Sequence, residues 1–292
     1  MSNLLKIILL ISVINISCNK SDEASNNQIV TLDVHTAVTM KEVAYGSDSL
    51  QKLDIYLPAS RSIDSTKILY LIHGGAWVAG DKKDFDSNVV ALKALLPQYA
   101  FVNINYRLAS LTGINEWPTQ MNDVNAAIDY VMNKSSYYQI NNAKSAVMGD
   151  SAGGQLALLK GFKYNGTGII HAVVDLFGPT DMMDFYNNPS NPNYPLLLQI
   201  FMTGTPTTNY NNFLSGSPLY FVNNTNPPTI IFHGTADSTV PIHQSDSLNN
   251  RLINAGVTNQ YIVYQGEGHG WTGNNLTDTY NKLVAFLVAN NK

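Results

Sequence analysis

Short apolar runs bounded by polar residues and glycines alternate along this chain with longer stretches in which apolar residues recur every three or four positions. The runs, at roughly 39–45, 50–57, 67–72, 100–105, 144–149, 169–175, 228–233 and 260–264, predict eight strands. The longer stretches predict helices over 84–97, 117–134, 152–162, 242–255 and 276–290. In the second of these, Met121, Val124, Ala127, Ile128 and Val131 mark one buried face, and Pro118 suits its first turn. Strands separated by helices of this length pair in parallel through right-handed crossovers, with helices covering both faces of the sheet. The first two strands, joined by a short connection holding Gly46 and Ser47, read instead as an antiparallel start. Residues 176–227 interrupt the alternation with Asn- and Pro-rich sequence and one short apolar helix around 196–201.

Composition narrows this α/β reading without redirecting it. A chain of 292 residues, 45% hydrophobic and 13% charged, can bury most of its unfolded surface in one core, so a single domain over 29–292 suffices. The formal net charge of −4 and the absence of a basic run give a nucleic-acid partner no electrostatic support. Cys18 is the only cysteine and can form no intramolecular disulfide, so stability must come from the core. Ahead of it, Lys6 and the apolar stretch from Ile7 to Ile14 suit a signal-peptide core better than a membrane span. Polar residues 19–28 follow, the composition of a flexible tether.

Chemistry enters with three motifs. Gly149-Asp150-Ser151-Ala152-Gly153 lies between the apolar run Ser145-Ala146-Val147-Met148 and a helix-compatible stretch, the context of a nucleophile elbow with Ser151 at its apex. His73-Gly74-Gly75-Ala76-Trp77 follows the strand ending at Ile72, where an oxyanion loop would sit. The amides of Gly75, Ala76 and Ala152 are the expected donors to a developing oxyanion, and one such donor is worth about 2.7–4 kcal/mol in other hydrolases. His73 reads as a brace for that loop. Asp237 and His269 each follow a predicted strand, and the order Ser151, Asp237, His269 is that of a catalytic triad whose members gather beyond the carboxyl ends of parallel strands. Asp175 and Asp181 stand as fallback acids, while Asp150 is placed to brace the elbow. Trp77, Tyr106, Pro179 and Trp271 flank these motifs and are the expected pocket residues. His73, His233, His243 and His269 lie in four separate segments, so neither a metal site nor a cofactor is expected.

These motifs, with Leu53-Asp54-Ile55-Tyr56-Leu57-Pro58, Asn105-Tyr106-Arg107-Leu108, His233-Gly234-Thr235-Ala236-Asp237 and His269-Gly270-Trp271, resemble α/β-hydrolase-fold carboxylesterases of the hormone-sensitive-lipase-like and feruloyl/acetyl-xylan-esterase-like group over nearly the whole mature chain. Ala76-Trp77 replaces the third glycine of the common loop and favours the small-ester branch. The resemblance implies an α/β-hydrolase fold with a cap insertion at 176–227. It also implies cofactor-free hydrolysis of small-molecule or glycan-linked esters through an acyl-Ser151, with acetyl or feruloyl groups on plant polysaccharides as candidate substrates. A serine peptidase or amidase of the prolyl-oligopeptidase type, and a non-catalytic binding module on the same fold, are the alternatives. The segment 1–17 resembles a bacterial lipoprotein signal, with Asn15 departing from the usual aliphatic residue, residues 16–23 resemble the looser signals and acidic export tags of Bacteroidota surface lipoproteins, and 18–28 read as a flexible tether. That resemblance implies export and a lipid anchor at Cys18 to the outer membrane or cell surface; periplasmic or secreted protein is the alternative.

Overall fold

A computed structural model describes residues 32–292; the signal segment, the tether and Cys18 lie outside the described residues. Strands β1 (Val38–Ala44), β2 (Lys52–Leu57), β3 (Lys67–Ile72), β4 (Tyr99–Ile104), β5 (Ser145–Asp150), β6 (Ile170–Leu176), β7 (Thr229–Gly234) and β8 (Asn259–Tyr264) form one sheet in the order β1-β2-β4-β3-β5-β6-β7-β8. β1 pairs antiparallel with β2, as the short Gly46 connection requires, and β2 also pairs antiparallel with β4; every later pairing is parallel.

Burial explains the apolar runs. Central β3 is covered on both faces, so it needs apolar residues at consecutive positions, whereas edge strand β8 is only partly covered. Because side chains alternate, Ile68, Tyr70 and Ile72 enter one core layer while Leu69 and Leu71 enter the other. Helices α1 (Asp86–Leu95), α2 (Thr119–Asn133), α3 (Ser135–Tyr138) and α4 (Ala152–Phe162) precede β6. Between β6 and β7 come α5 (Met182–Asn187), α6 (Tyr194–Phe201) and α7 (Tyr210–Ser215); α8 (His243–Ala255) and α9 (Gly273–Asn290) complete the set. Apolar faces of α2, α4 and α8 fill the first layer, while Val89 and Leu92 of α1 and Leu283, Phe286 and Leu287 of α9 fill the second.

Several boundaries differ from expectation for local reasons. The helix expected over 84–97 divides into a 3-10 turn, Lys82–Phe85, capped by Asp81, and α1, which ends before Pro97. Pro118 is the N-cap of α2 rather than a first-turn residue. α9 begins at Gly273, three residues early, through a Gly-Asn-Asn start of poor helix formers. In the stretch between β6 and β7, the structure has three short helices and a 3-10 turn where one helix was expected. They are tied to the rest of the fold by both apolar and polar contacts: Phe201 stacks on Trp77 at 4.5 Å, and Trp117 Nε1 donates to Ser215 Oγ at 2.8 Å.

Candidate active site

The elbow puts Ser151 between β5 and α4 at φ 51°, ψ −120°, a conformation that costs about 1–3 kcal/mol and survives only where the surroundings enforce it. The enforcement is steric. A Cβ at Gly149 would lie 2.1 Å from the Gly153 carbonyl, and one at Gly153 would lie 2.0 Å from that of Ile72. No side chain can separate these segments without opening the turn.

β7 and β8 bring the other two residues to the same end of the sheet. His269 Nδ1 lies 2.7 Å from Asp237 Oδ2, and its Nε2 lies 2.9 Å from Ser151 Oγ. A carboxylate only accepts, so Nδ1 carries the proton and Nε2 is free to take the serine proton. The Asp237 side chain is fully buried, and Oδ1 accepts from the amides of Thr239 (2.8 Å) and Val240 (3.0 Å). Burial alone would raise its pKa. Hydrogen bonds from His233 and His269, with the His269 charge and the Thr239 amide, outweigh that and hold it well below the usual carboxylate range.

His233, which the sequence reading left without a role, belongs to this constellation. Its Nε2 faces two acceptors, the Val240 carbonyl at 3.0 Å and Asp237 Oδ2 at 3.2 Å, so it carries a proton, while Nδ1 accepts from Ser245 Oγ at 2.7 Å. Buried His233 therefore steadies the acid from behind. Its one sequence signal was its place in β7, four residues before Asp237.

The loop after β3 crosses the elbow with Gly75 at φ 105°, Ala76 at 51° and Trp77 at 64°. Gly75 has no substitute, since a Cβ there would lie 2.1 Å from the Ala79 carbonyl. Among the hydrogen bonds of the described residues, the amides of Gly75, Ala76 and Ala152 have no protein acceptor, as an oxyanion site requires. His73 supports the loop: its Nδ1 donates to the Gly74 carbonyl at 2.7 Å, and its ring stacks on Tyr106 at 4.3 Å. Burial lowers the His73 pKa and keeps it neutral. Asp150 backs the same loop. Burial raises its pKa to about 6 against the pull of the Gly74 amide, and its Oδ1 has no partner.

The fallback acids are engaged elsewhere. Asp175 is buried, accepts from the Gly178 amide at 3.0 Å, and has its pKa raised by burial to about 8. Asp181 caps α5 through the amides of Met183 and Asp184 and accepts from Tyr220.

Of the four expected pocket residues, two share a cleft with Ser151. Trp77 and Pro179 line it together with Ala76, Phe185, Tyr194 and Val240, and its free volume is only about 10 Å³. Tyr106 is a correction: it is fully buried and donates to the His73 carbonyl at 2.9 Å, supporting the loop after β3 instead of lining the cleft. Trp271 lies outside that cleft and lines a second groove together with Phe177.

An open, mostly parallel eight-stranded sheet with an elbow serine, a histidine and an acid at its carboxyl end defines the α/β-hydrolase class, and the fold is that of its carboxylesterases. The family model described as BD-FAE matches residues 53–252, more than half of the chain, and the chain belongs to that family. It is 26% identical over 247 residues to "Esterase LipC" of Mycobacterium tuberculosis, covering 80% of this chain and 60% of LipC. It is 28% identical over 236 residues to "Probable carboxylic ester hydrolase LipM" of the same organism, covering 76% of this chain and 53% of LipM. This chain thus spans little more than half the length of these curated relatives. A solved "truncated form of carbohydrate esterase from gut microbiota" superimposes with a TM-score of 0.71 at 27% identity, covering 89% of this chain and 99% of that one.

Proposed function

We propose that this protein is a serine carboxylic-ester hydrolase that removes small acyl groups, acetyl above all, from carbohydrate-linked esters. The observation that carries this reading is the continuous hydrogen-bonded path from Ser151 Oγ through His269 to Asp237, beside unclaimed loop amides. Ser151 attacks the ester carbonyl as His269 Nε2 takes its proton, and Asp237 stabilises the resulting imidazolium. The amides of Gly75, Ala76 and Ala152 face the oxyanion. His269 then protonates the departing alkoxide, and water cleaves the acyl-Ser151 by the reverse sequence. The carbohydrate-esterase neighbour and the esterase names of the relatives support the substrate class.

Acyl size follows from the cleft. The cleft has room for about one water-sized group, which favours a methyl group over a feruloyl ring. Trp77, Phe185 and Tyr194 wall it, and the stacked Trp77–Phe201 pair stiffens the wall. With a p-nitrophenyl ester series, kcat/KM is expected to be highest for acetate and to fall about tenfold or more for each added methylene. Decanoate turned over as well as acetate would contradict the small-acyl reading, and cleavage of a proline-linked anilide in place of the esters would favour the peptidase reading.

The same proposal places the enzyme outside the cytoplasm, held by a lipid at Cys18, a reading supported by the apolar stretch before that residue. Palmitate should label wild type and not Cys18→Ala. Equal label in both would reject the anchor.

A further inference from the structure

Attack on an ester at Ser151 leaves three groups on the tetrahedral carbon to be housed. The oxygen goes to the loop amides and the acyl methyl to the tight cleft. The alkoxide must lie against His269 Nε2, because that nitrogen delivers its proton. The imidazole packs on Phe177 with ring centres 4.6 Å apart, and Phe177 in turn meets Trp271 edge-on at 5.3 Å. Phe177 and Trp271 are walls of a second groove, with a free volume of about 140 Å³ against about 10 Å³ for the acyl side. Asp150 and Gly270, the chain neighbours of Ser151 and His269, line it too.

Part of its lining is polar. Asp84 and Asn88 line it from the 3-10 turn and α1. One Asp84 oxygen accepts from the Asp81 amide, and Asn88 Oδ1 faces Ser87 Oγ. The other Asp84 oxygen and the Asn88 amide nitrogen have no partner in the hydrogen bonds among the described residues, so the lining offers an acceptor and a donor besides its aromatic residues. Vicinal hydroxyls on a ring present the complementary pattern, each able to donate and accept, while the ring's C–H face suits an aromatic surface. The carboxylates of Asp84 and Asp150 oppose an anionic alcohol.

Resting on the ester-hydrolase reading, we infer that this groove is the alcohol subsite and that Asp84, Asn88 and Trp271 select a neutral pyranose as the leaving group. Selection is then separate from acyl selection, which the cleft beyond Ser151 performs.

The test compares p-nitrophenyl acetate, whose leaving group departs without help from a subsite, with a mono-acetylated methyl xylopyranoside and with acetylcholine. The variants are Asn88→Ala, which removes the donor, and Asn88→Phe, which fills the groove; their melting curves establish that each is folded. The ratio of kcat/KM for the sugar acetate to that for p-nitrophenyl acetate is expected to fall at least tenfold in both variants, chiefly through KM. A ratio unchanged within twofold in both would overturn the assignment, as would faster turnover of acetylcholine than of the sugar acetate by wild type. Wild type that cleaves p-nitrophenyl acetate but no sugar acetate would overturn the subsite and leave the esterase reading standing. Folded wild type silent on every ester would instead overturn the esterase reading.

Discussion

Ser151→Ala is expected to lower kcat on p-nitrophenyl acetate by about 10⁶-fold, the loss that removing a triad serine causes in other serine hydrolases. The melting temperature should scarcely move. Ser151 is only partly buried, and its hydroxyl makes one hydrogen bond, to His269, so its removal leaves no buried group without a partner apart from an imidazole nitrogen that is itself part-exposed. The turn that holds the residue at φ 51° is enforced by Gly149 and Gly153 rather than by the hydroxyl, so alanine inherits the same strain. Loss of activity without loss of fold separates a catalytic role from a structural one. A folded variant that kept near wild-type turnover would remove Ser151 from the mechanism.

Asp237→Asn should cost about 10⁴-fold in kcat, whereas Asp175→Asn should stay close to wild type. The asparagine amide at 237 can turn its NH₂ toward His269, which would reverse the tautomer and leave Nε2 protonated and unable to accept from Ser151. At 175, burial already keeps the carboxyl protonated up to about pH 8, and asparagine is a near-isostere of that neutral form. The two acids also differ in the sign of their pH linkage. Asp237, with a lowered folded pKa, adds stability that is present above its unfolded pKa of about 4 and is lost as pH falls below it. Asp175 has a raised folded pKa, so the folded state holds an extra proton between about pH 4 and 8 and loses stability through this group as pH rises across that window. Asp175→Asn should therefore gain in melting temperature over wild type at pH 9, with little difference at pH 4. A collapse of activity in Asp175→Asn with Asp237→Asn intact would exchange the two roles.

The elements that the sequence made legible are those with a strong local cause. Central strands buried on both faces must be continuously apolar, so β3 to β7 stand out in the chain, and the parallel order follows from the helices between them. Ser151, Asp237 and His269 could be named because each lies at or in the loop after a strand, and parallel strands deliver their ends to one edge. Contacts made only in three dimensions were not legible. Tyr106 has the composition of a pocket residue, and only its hydrogen bond to the His73 carbonyl and its burial reveal a support. His233 looks like any strand residue until Asp237 folds back onto it. The short helices between β6 and β7 have six to eight residues each, too few to display a period among prolines and asparagines, and tertiary packing on Trp77 and Trp117 holds them.

The most direct measurement is a rapid-quench reaction of the enzyme with p-nitrophenyl acetate, followed by peptide mass spectrometry. One acetyl group should appear on the peptide bearing Ser151, at its hydroxyl, in wild type and in no position in Ser151→Ala. Acetate released with the label on another residue, or turnover with no covalent acyl-enzyme under any quench time while Ser151→Ala remains active, would contradict nucleophilic catalysis at this elbow.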